Sequence, residues 1–384
     1  RYNNKAIKMD SEVKRAHKLV MGASGSGKTE VIKSGIYQDL KNGNPVVLVD
    51  YKGEQGMIEE LKEFANDLGI PTYEMSPYNV DFNYDPLMNL NNAGRVEAIL
   101  NTRKWSMDGS DAHFRSGTQL LAQKLVSEYD KKWESEDKGK IPYTLGFYQF
   151  ALKYPPSQFE RDSYNNITKM LEILLTSDLS PSWKGEKEKE FSFEKREQYL
   201  VIFSFLSSNK ELANSVSSFL FKDILDSANK KAFRPQLAVY IDEYGSLENV
   251  TIIKDIIEKG RSGGIEITVS LLDINQIIMS SSQAFLDSIL GTLNTFIILA
   301  GFTRSTADKL GGVQLKDLED IILKLRKPRE DGKTIPTALY ISKYPSINHR
   351  DSFDVYKFIP YRAHVKALKV ANTNKPPINT RKNI

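Results

Sequence analysis

Cysteine is absent from the 384-residue chain, which excludes disulfides and thiolate metal sites and fits a reducing compartment. Histidine is scarce: His17, His113, His349 and His364 stand far apart without metal-ligand spacing, so a metal ion is expected to arrive with a nucleotide rather than in a cage of side chains. Long apolar runs are missing as well. The longest clean one lies around Phe296–Ala300, far short of the roughly 20 residues that span a bilayer, and the chain as given is expected to be soluble. A large charge excess is also lacking: 53 Lys and Arg oppose 49 Asp and Glu, a net +4 that does not by itself demand a polyanionic partner. The charge is unevenly spread, however. Residues 1–18 hold six basic and two acidic side chains and residues 360–384 hold six basic and no acidic ones, so the ends are positive and the middle is negative. Basic ends are commonly just solvated chain; DNA or anionic lipid is the sharper reading. The hydrophobic content of 40% allows a sizeable core and two domains, and no fixed-period repeat is apparent.

What is present begins with residues 18–31, KLVMGASGSGKTEV, a short apolar strand, a glycine-rich turn and a helix start. This is GxxxxGKT in its proper setting. Gly22, Gly25 and Gly27 let the backbone bend so that successive amide N–H groups face phosphate oxygens at the positive end of a helix. Ser24, Ser26 and Glu30 complete the expected nucleotide-binding stretch. Lys28 would reach the β- and γ-phosphates and Thr29 would place its hydroxyl on Mg²⁺, so ATP and Mg²⁺ are the expected cofactors. A glycine-rich turn without chemistry is the competing reading, and the flanking strand and helix argue against it.

Such a cradle needs an acidic partner. Leu237–Glu243 (LAVYIDE) is an apolar run ending in two carboxylates, bounded by Pro235 and Gly245. It reads as a buried strand that delivers Asp242 and Glu243 at its C-terminal edge beside the glycine loop. Asp242 is expected to hold the Mg²⁺ shell and Glu243 to act as general base on the attacking water. Further apolar runs at Pro45–Asp50, Tyr199–Leu206, Ile265–Leu271, Thr295–Ala300 and Thr337–Ile341 alternate with helical periodicity, which predicts an α/β fold with a mostly parallel sheet flanked by helices. From about Leu90 to Glu197 the pattern is helical, with no convincing strand. An all-α domain over residues 91–196 is therefore expected, inserted into a nucleotide-binding domain made of 1–90 and 197–384. The charged connectors Lys131–Lys140 and Lys184–Glu197 read as solvated loops.

These segments together resemble the VirD4/TraG-type coupling proteins of conjugation and type IV secretion, relatives of the FtsK and HerA motors within the RecA-like P-loop NTPases. Val47–Glu54 (VLVDYKGE) resembles the family's hhhDPKGE strand with Tyr51 in place of proline, and Phe82–Leu87 (FNYDPL) its YNPL element. Tyr240–Leu247 (YIDEYGSL) resembles hhDEFxxL, and Glu258–Ile265 (EKGRSGGI) resembles xxGRKxGI. The resemblance implies a ring, a hexamer when anchored, with nucleotide at subunit interfaces and DNA held without sequence preference. It implies Arg261 as a finger acting on a neighbour's nucleotide, with Arg304 a second candidate. The family's QSxxQ sensor reads Leu272–Gln276 here, so the first glutamine is replaced by Leu272 and Gln276 is the substitute. Further implications are a relaxase and type IV secretion components as partners, docking on the all-α domain, and a membrane anchor preceding Arg1. That places the protein at the cytoplasmic face of a bacterial membrane; the chain without an anchor is expected to be soluble and able to stay monomeric. Two readings stay open beside this one: a soluble FtsK/HerA-like DNA translocase, and a nucleotide-binding scaffold with weak hydrolysis.

Overall fold

The computed structural model describes residues 17–103, 105, 109–246, 251–280, 283–293, 295–299, 337–342 and 353–357. β1 (Lys18–Met21) leads through the glycine loop into α1 (Lys28–Lys41), and β2 (Val46–Asp50) into α2 (Gln55–Asp67) and the edge strand β3 (Thr72–Met75). A two-residue strand, β4 (Phe82–Asn83), then opens a helical stretch: α3 (Asn92–Leu100), α4 (Gly109–Lys132), α5 (Tyr143–Leu152), α6 (Arg161–Thr176) and α7 (Ser180–Trp183). It closes with β5 (Lys189–Glu190), which pairs parallel with β4. The chain returns to the main sheet with β6 (Leu200–Ser204), α8 (Lys210–Lys230), β7 (Leu237–Asp242), α9 (Thr251–Lys259), β8 (Ile265–Leu271), α10 (Asn275–Ser280), α11 (Gln283–Thr292), β9 (Thr295–Ile298), β10 (Thr337–Ser342) and β11 (Phe353–Lys357).

The main sheet has the order β11-β10-β9-β1-β8-β7-β2-β6-β3. From β9 to β3 every neighbouring pair is parallel, and β10 and β11 extend the sheet antiparallel. Every residue of β2, β6, β7 and β8 is buried, as expected for continuous apolar runs covered on both faces. Strand alternation sorts them. Val46 and Leu48 pack with Ile32, Ile36, Met57 and Leu61 of α1 and α2, whereas Val47 and Val49 join Phe219 and Ile224 of α8 and a large cluster on the opposite face. That cluster continues without a break into the helical stretch through Leu121, Leu125, Tyr129, Phe147, Leu171 and Trp183. No helix among the described residues is long and apolar enough to cross a membrane.

One strand goes unread in the sequence, and two expectations need correction. β3, with the sequence TYEM, carries no apolar run, and its alternation is too weak to announce a strand. β5 puts a strand inside the stretch expected to lack one; Asn83 fixes it, its Nδ2 donating to the Lys187 carbonyl at 2.6 Å and its Oδ1 accepting from the Lys187 N–H at 2.8 Å. The charged connectors are also more than solvated loops. Trp133, in a π-helical turn over Trp133–Asp137, is buried, as are Phe191 and Phe193, because one apolar anchor in a polar segment suffices to pin it to the core.

Tyr129 sits among Trp133, Tyr143, Phe147 and Phe150, with ring centroids 5.0–6.2 Å away. A Cβ at Gly146 would lie 1.9 Å from the Tyr129 Oη. Gly146→Ala, ordinarily a gain inside a helix, is therefore expected to destabilise the protein by roughly 1–3 kcal/mol through overpacking. Urea unfolding of the variant beside the wild type would measure it.

Candidate nucleotide-binding site

In a parallel sheet all C-terminal strand ends share one edge, and ligands gather there where strand order reverses. Here β1 lies between β8 and β9, while β7 stands one strand further out beyond β8. The glycine loop, the acidic strand end and the turn after β2 are thus brought together on that edge. Gly22 N–H donates to the Leu271 carbonyl at 3.3 Å, tying the loop to β8. Gly25 and Gly27 adopt φ of 74° and 99°, a left-handed backbone that glycine adopts without steric cost, and α1 starts at the next residue. A Cβ at Gly22 would lie 2.5 Å from Ser26 Oγ, so the loop closes only with glycine there. The Ser26 hydroxyl is buried with no hydrogen-bond partner among the described residues, a donor available to an oxygen ligand.

Lys28 is buried, its Nζ donating to the Gly22 carbonyl at 2.8 Å and the Ala23 carbonyl at 3.1 Å. Burial lowers its pKa, with Lys52 adding to that and Glu243 and Asp242 opposing it. Thr29 Oγ1 donates to Asp242 Oδ2 at 3.4 Å, which sets a hydroxyl and a carboxylate side by side as hard oxygen donors suited to Mg²⁺ with phosphates. Glu30, in the first turn of α1, pairs with Lys33 at 2.5 Å. Ser24 is exposed on the loop.

Asp242 is fully buried. Its Oδ1 accepts from the Ser270 hydroxyl, whose oxygen in turn accepts the Glu243 N–H at 2.9 Å. Ser270 belongs to β8, the strand between the glycine loop and the acidic strand end, and it holds both acidic residues at once. Glu243 has φ of 60°, an uncommon left-handed conformation for a residue with a side chain, costing about 1–2 kcal/mol. Strain of this kind concentrates at functional positions.

A lysine that the motif reading gave no task completes the cluster. Lys52 Nζ lies 3.3 Å from Asp242 Oδ2 and 3.4 Å from Glu243 Oε2. Burial disfavours its charge, yet Asp242 and Glu243 outweigh that and raise its pKa. Lys52 and Ser270 lie 190 and 28 residues from Asp242 in sequence; the only sequence signal for Lys52 is its place in VLVDYKGE. Tyr51, where the resembled pattern has proline, is buried, stacks on Phe205 at 5.7 Å and hydrogen-bonds Ser217 of α8 at 2.6 Å, so the exchange is explained by packing.

Gln276 belongs to the same edge. Its Oε1 accepts the N–H groups of Leu272 and Asp273 at 3.0 and 3.4 Å, and its amide packs against Gly245, two residues after Glu243. Arg261 does not. It precedes β8, whose seven residues separate it from the loop edge by roughly 20 Å at about 3.3 Å per residue. Its charge is felt instead by His17, whose pKa falls to about 4 through burial first, with Arg261 contributing. Arg261 is thus out of reach of its own chain's glycine loop. Arg304, Leu247 and the basic ends, apart from Lys18, lie outside the described residues.

A parallel sheet in which one strand separates a glycine-loop strand from an acidic strand is the RecA-like P-loop NTPase fold, and this chain has it. Among solved structures it is similar to the plasmid coupling protein TrwB in complex with a non-hydrolysable ATP analogue, with 16% identity, 92% of this chain and 87% of that one covered, and a TM-score of 0.62. TrwB in complex with ADP and Mg²⁺ matches with 16% identity over 92% of this chain and 81% of that one, at 0.56. VirB4 of Thermoanaerobacter pseudethanolicus matches with 13% identity over 90% of each chain, at 0.58. No family model matches the sequence, and the search of curated proteins found no match.

Proposed function

We propose that this chain is an Mg²⁺-dependent ATPase that works as a conjugative coupling protein, recruiting a relaxase–DNA substrate and helping to pump it into a type IV secretion channel. The observation that carries the reading is the meeting of Lys28, Thr29, Asp242 and Glu243 on one sheet edge, in a fold similar to that of the nucleotide-bound coupling protein TrwB. The loop from Gly22 to Gly27 would cradle the phosphates with its amide N–H groups. Lys28 would exchange its two carbonyl partners for β- and γ-phosphate oxygens. Thr29 and Asp242 would hold Mg²⁺, which neutralises phosphate charge when bound. Glu243 would orient the attacking water and accept its proton.

Arg261, out of reach in its own chain, fits a finger acting across a subunit boundary of a hexameric ring, and this is how we assign it. Residues 91–196 would serve as the docking unit for the protein substrate, on a motor formed by 1–90 and 197–384. An anchor preceding this chain would set it at the cytoplasmic face of the membrane. One observation favours a second reading: Leu272 offers no polar group at the sensor position and Gln276 spends its carbonyl on the adjacent turn, which suits a nucleotide-binding scaffold with slow turnover.

Steady-state hydrolysis by the purified chain, with and without single- and double-stranded DNA, tests the proposal. DNA-stimulated turnover that Lys28→Ala abolishes supports the motor. Nucleotide binding through Lys28 with no turnover on any DNA supports the scaffold.

A further inference from the structure

The loop after β2 is held at almost every residue. Asp50, buried at the strand end, accepts the N–H of Lys52 at 2.9 Å, the N–H of Glu54 at 3.0 Å and the Ser204 hydroxyl at 2.9 Å. The Tyr51 N–H donates to the Asp242 carbonyl at 3.3 Å, and its ring is locked between Phe205 and Ser217. Gly53, at φ 68°, gives its carbonyl to the Tyr78 hydroxyl at 2.8 Å, and a Cβ there would press on Leu206 and the Phe205 carbonyl. The Lys52 side chain leaves this frame and crosses to the two carboxylates. Asp242 and Glu243 are 0% and 13% exposed at their side chains and Lys52 is 31% exposed. Together with Lys28, whose charge Glu243 and Asp242 also favour, this makes a partly desolvated cluster of two cations and two anions, on a rigid support, and not a solvated surface pair.

The oxygen that Lys52 takes, Asp242 Oδ2, is also the one that Thr29 faces. Resting on the nucleotide reading above, we infer that Lys52 is an internal counter-cation of this site, competing with a divalent metal ion for Asp242 and restraining Glu243. An ammonium and a divalent cation on one carboxylate oxygen repel each other, so occupation by the metal displaces Lys52 toward Glu243 Oε2, its other partner. Without Lys52, the two carboxylates keep only Lys28 as a nearby cation, and the more negative cluster binds a divalent ion more tightly. Lys52 is thus a positioning residue that sets how much Mg²⁺ the site needs and keeps Glu243 in place.

The test uses the full chain and fluorescently labelled ADP, titrated over a series of Mg²⁺ concentrations, for the wild type, Lys52→Met, Lys52→Gln and Lys52→Arg. The Mg²⁺ concentration giving half of the metal-dependent gain in affinity is expected to fall about fivefold in the Met and Gln variants, the size expected for removing one neighbouring charge at a half-exposed site. Lys52→Arg, which keeps the cation, should stay near the wild type. An unchanged Mg²⁺ requirement in both neutral variants overturns the inference, and so does an increased one, which would assign Lys52 to the phosphates instead. If Lys28→Ala binds as well as the wild type, or the wild type does not bind, the nucleotide reading itself falls and takes this one with it. Normal binding through Lys28 with no Lys52 effect sinks only the present inference.

Discussion

Glu243→Gln is expected to lower ATP turnover at least about a hundredfold, the smaller end of what a positioned general base contributes, while nucleotide affinity stays within about twofold of the wild type. Two features of the site separate these effects. The Glu243 backbone, not its carboxylate, is the part tied to Ser270, so exchanging an oxygen for an amide nitrogen leaves the left-handed turn and the Asp242 side chain where they are. The carboxylate itself pairs with Lys52, and a glutamine of the same length still reaches it through its carbonyl. What is lost is the ability to take a proton. Lys28→Ala should behave in the opposite way, losing affinity first, because Lys28 lies folded over the glycine loop where phosphate is expected. Labelled-nucleotide binding and steady-state hydrolysis measured on both variants check the contrast. Equal losses of affinity in the two would show that Glu243 holds the loop rather than the water.

The second large effect concerns stability and pH. Asp223 of α8 is buried against the segment that follows β4. Its Oδ2 accepts from the Tyr84 hydroxyl at 3.0 Å and from Asn89 Nδ2 at 3.5 Å, and its Oδ1 from the Ser227 hydroxyl at 3.4 Å. Burial raises its pKa from 3.8 to about 7; the hydrogen bonds from Tyr84 and Asn89 and the charge of Lys230 pull the other way, and Asp226 adds to the rise. The native state therefore keeps a proton that the unfolded chain has released. Over that window the native state binds more protons than the unfolded one, so stability falls as pH rises, with a limiting slope of roughly 1.4 kcal/mol per pH unit. Below the unfolded value both states are protonated and above about 7 neither is, and the contribution is flat. Asp223→Asn retains an acceptor for Tyr84 without a charge. The variant should gain on the wild type steadily between pH 5 and 7 and hold a constant advantage above that, as read from urea unfolding at a series of pH values. A difference that does not change with pH would mean that the carboxyl titrates normally.

Much of this architecture is legible in the residues. The runs in β2, β6, β7 and β8 are apolar at nearly every position, so their burial on both faces follows directly, and GxxxxGKT and the Asp242–Glu243 pair are contiguous in sequence. What is hidden depends on convergence from far away. Ser270 looks like any polar residue in IEITVSL until β8 is inserted between β1 and β7, and Lys52 looks like an exposed loop lysine until Asp50 folds the loop back on the sheet edge. Short strands escape for a different reason: β4 and β5 have two residues each, too few for any periodicity, and depend on the Asn83 side chain. The sensor position shows the limit of a pattern match. Gln276 keeps its place near Gly245, yet its carbonyl serves the turn at Leu272 and Asp273.

The unbroken apolar cluster between the helices and the sheet has a mechanical consequence. Leu125, Tyr129, Leu171 and Trp183 belong to the same packed body as Val47, Val49 and Phe203, the strand residues that lead into Asp50 and Ser204. Packed interiors have low compressibility. A load on the outer surface of α4 or α6 is therefore expected to pass through this shared core to β2 and β6, the strands beside the loop that carries Lys52. By the same token, residues 91–196 cut out alone would expose the apolar side chains they share with the sheet and are expected to aggregate, so the helical layer and the sheet form one packed body.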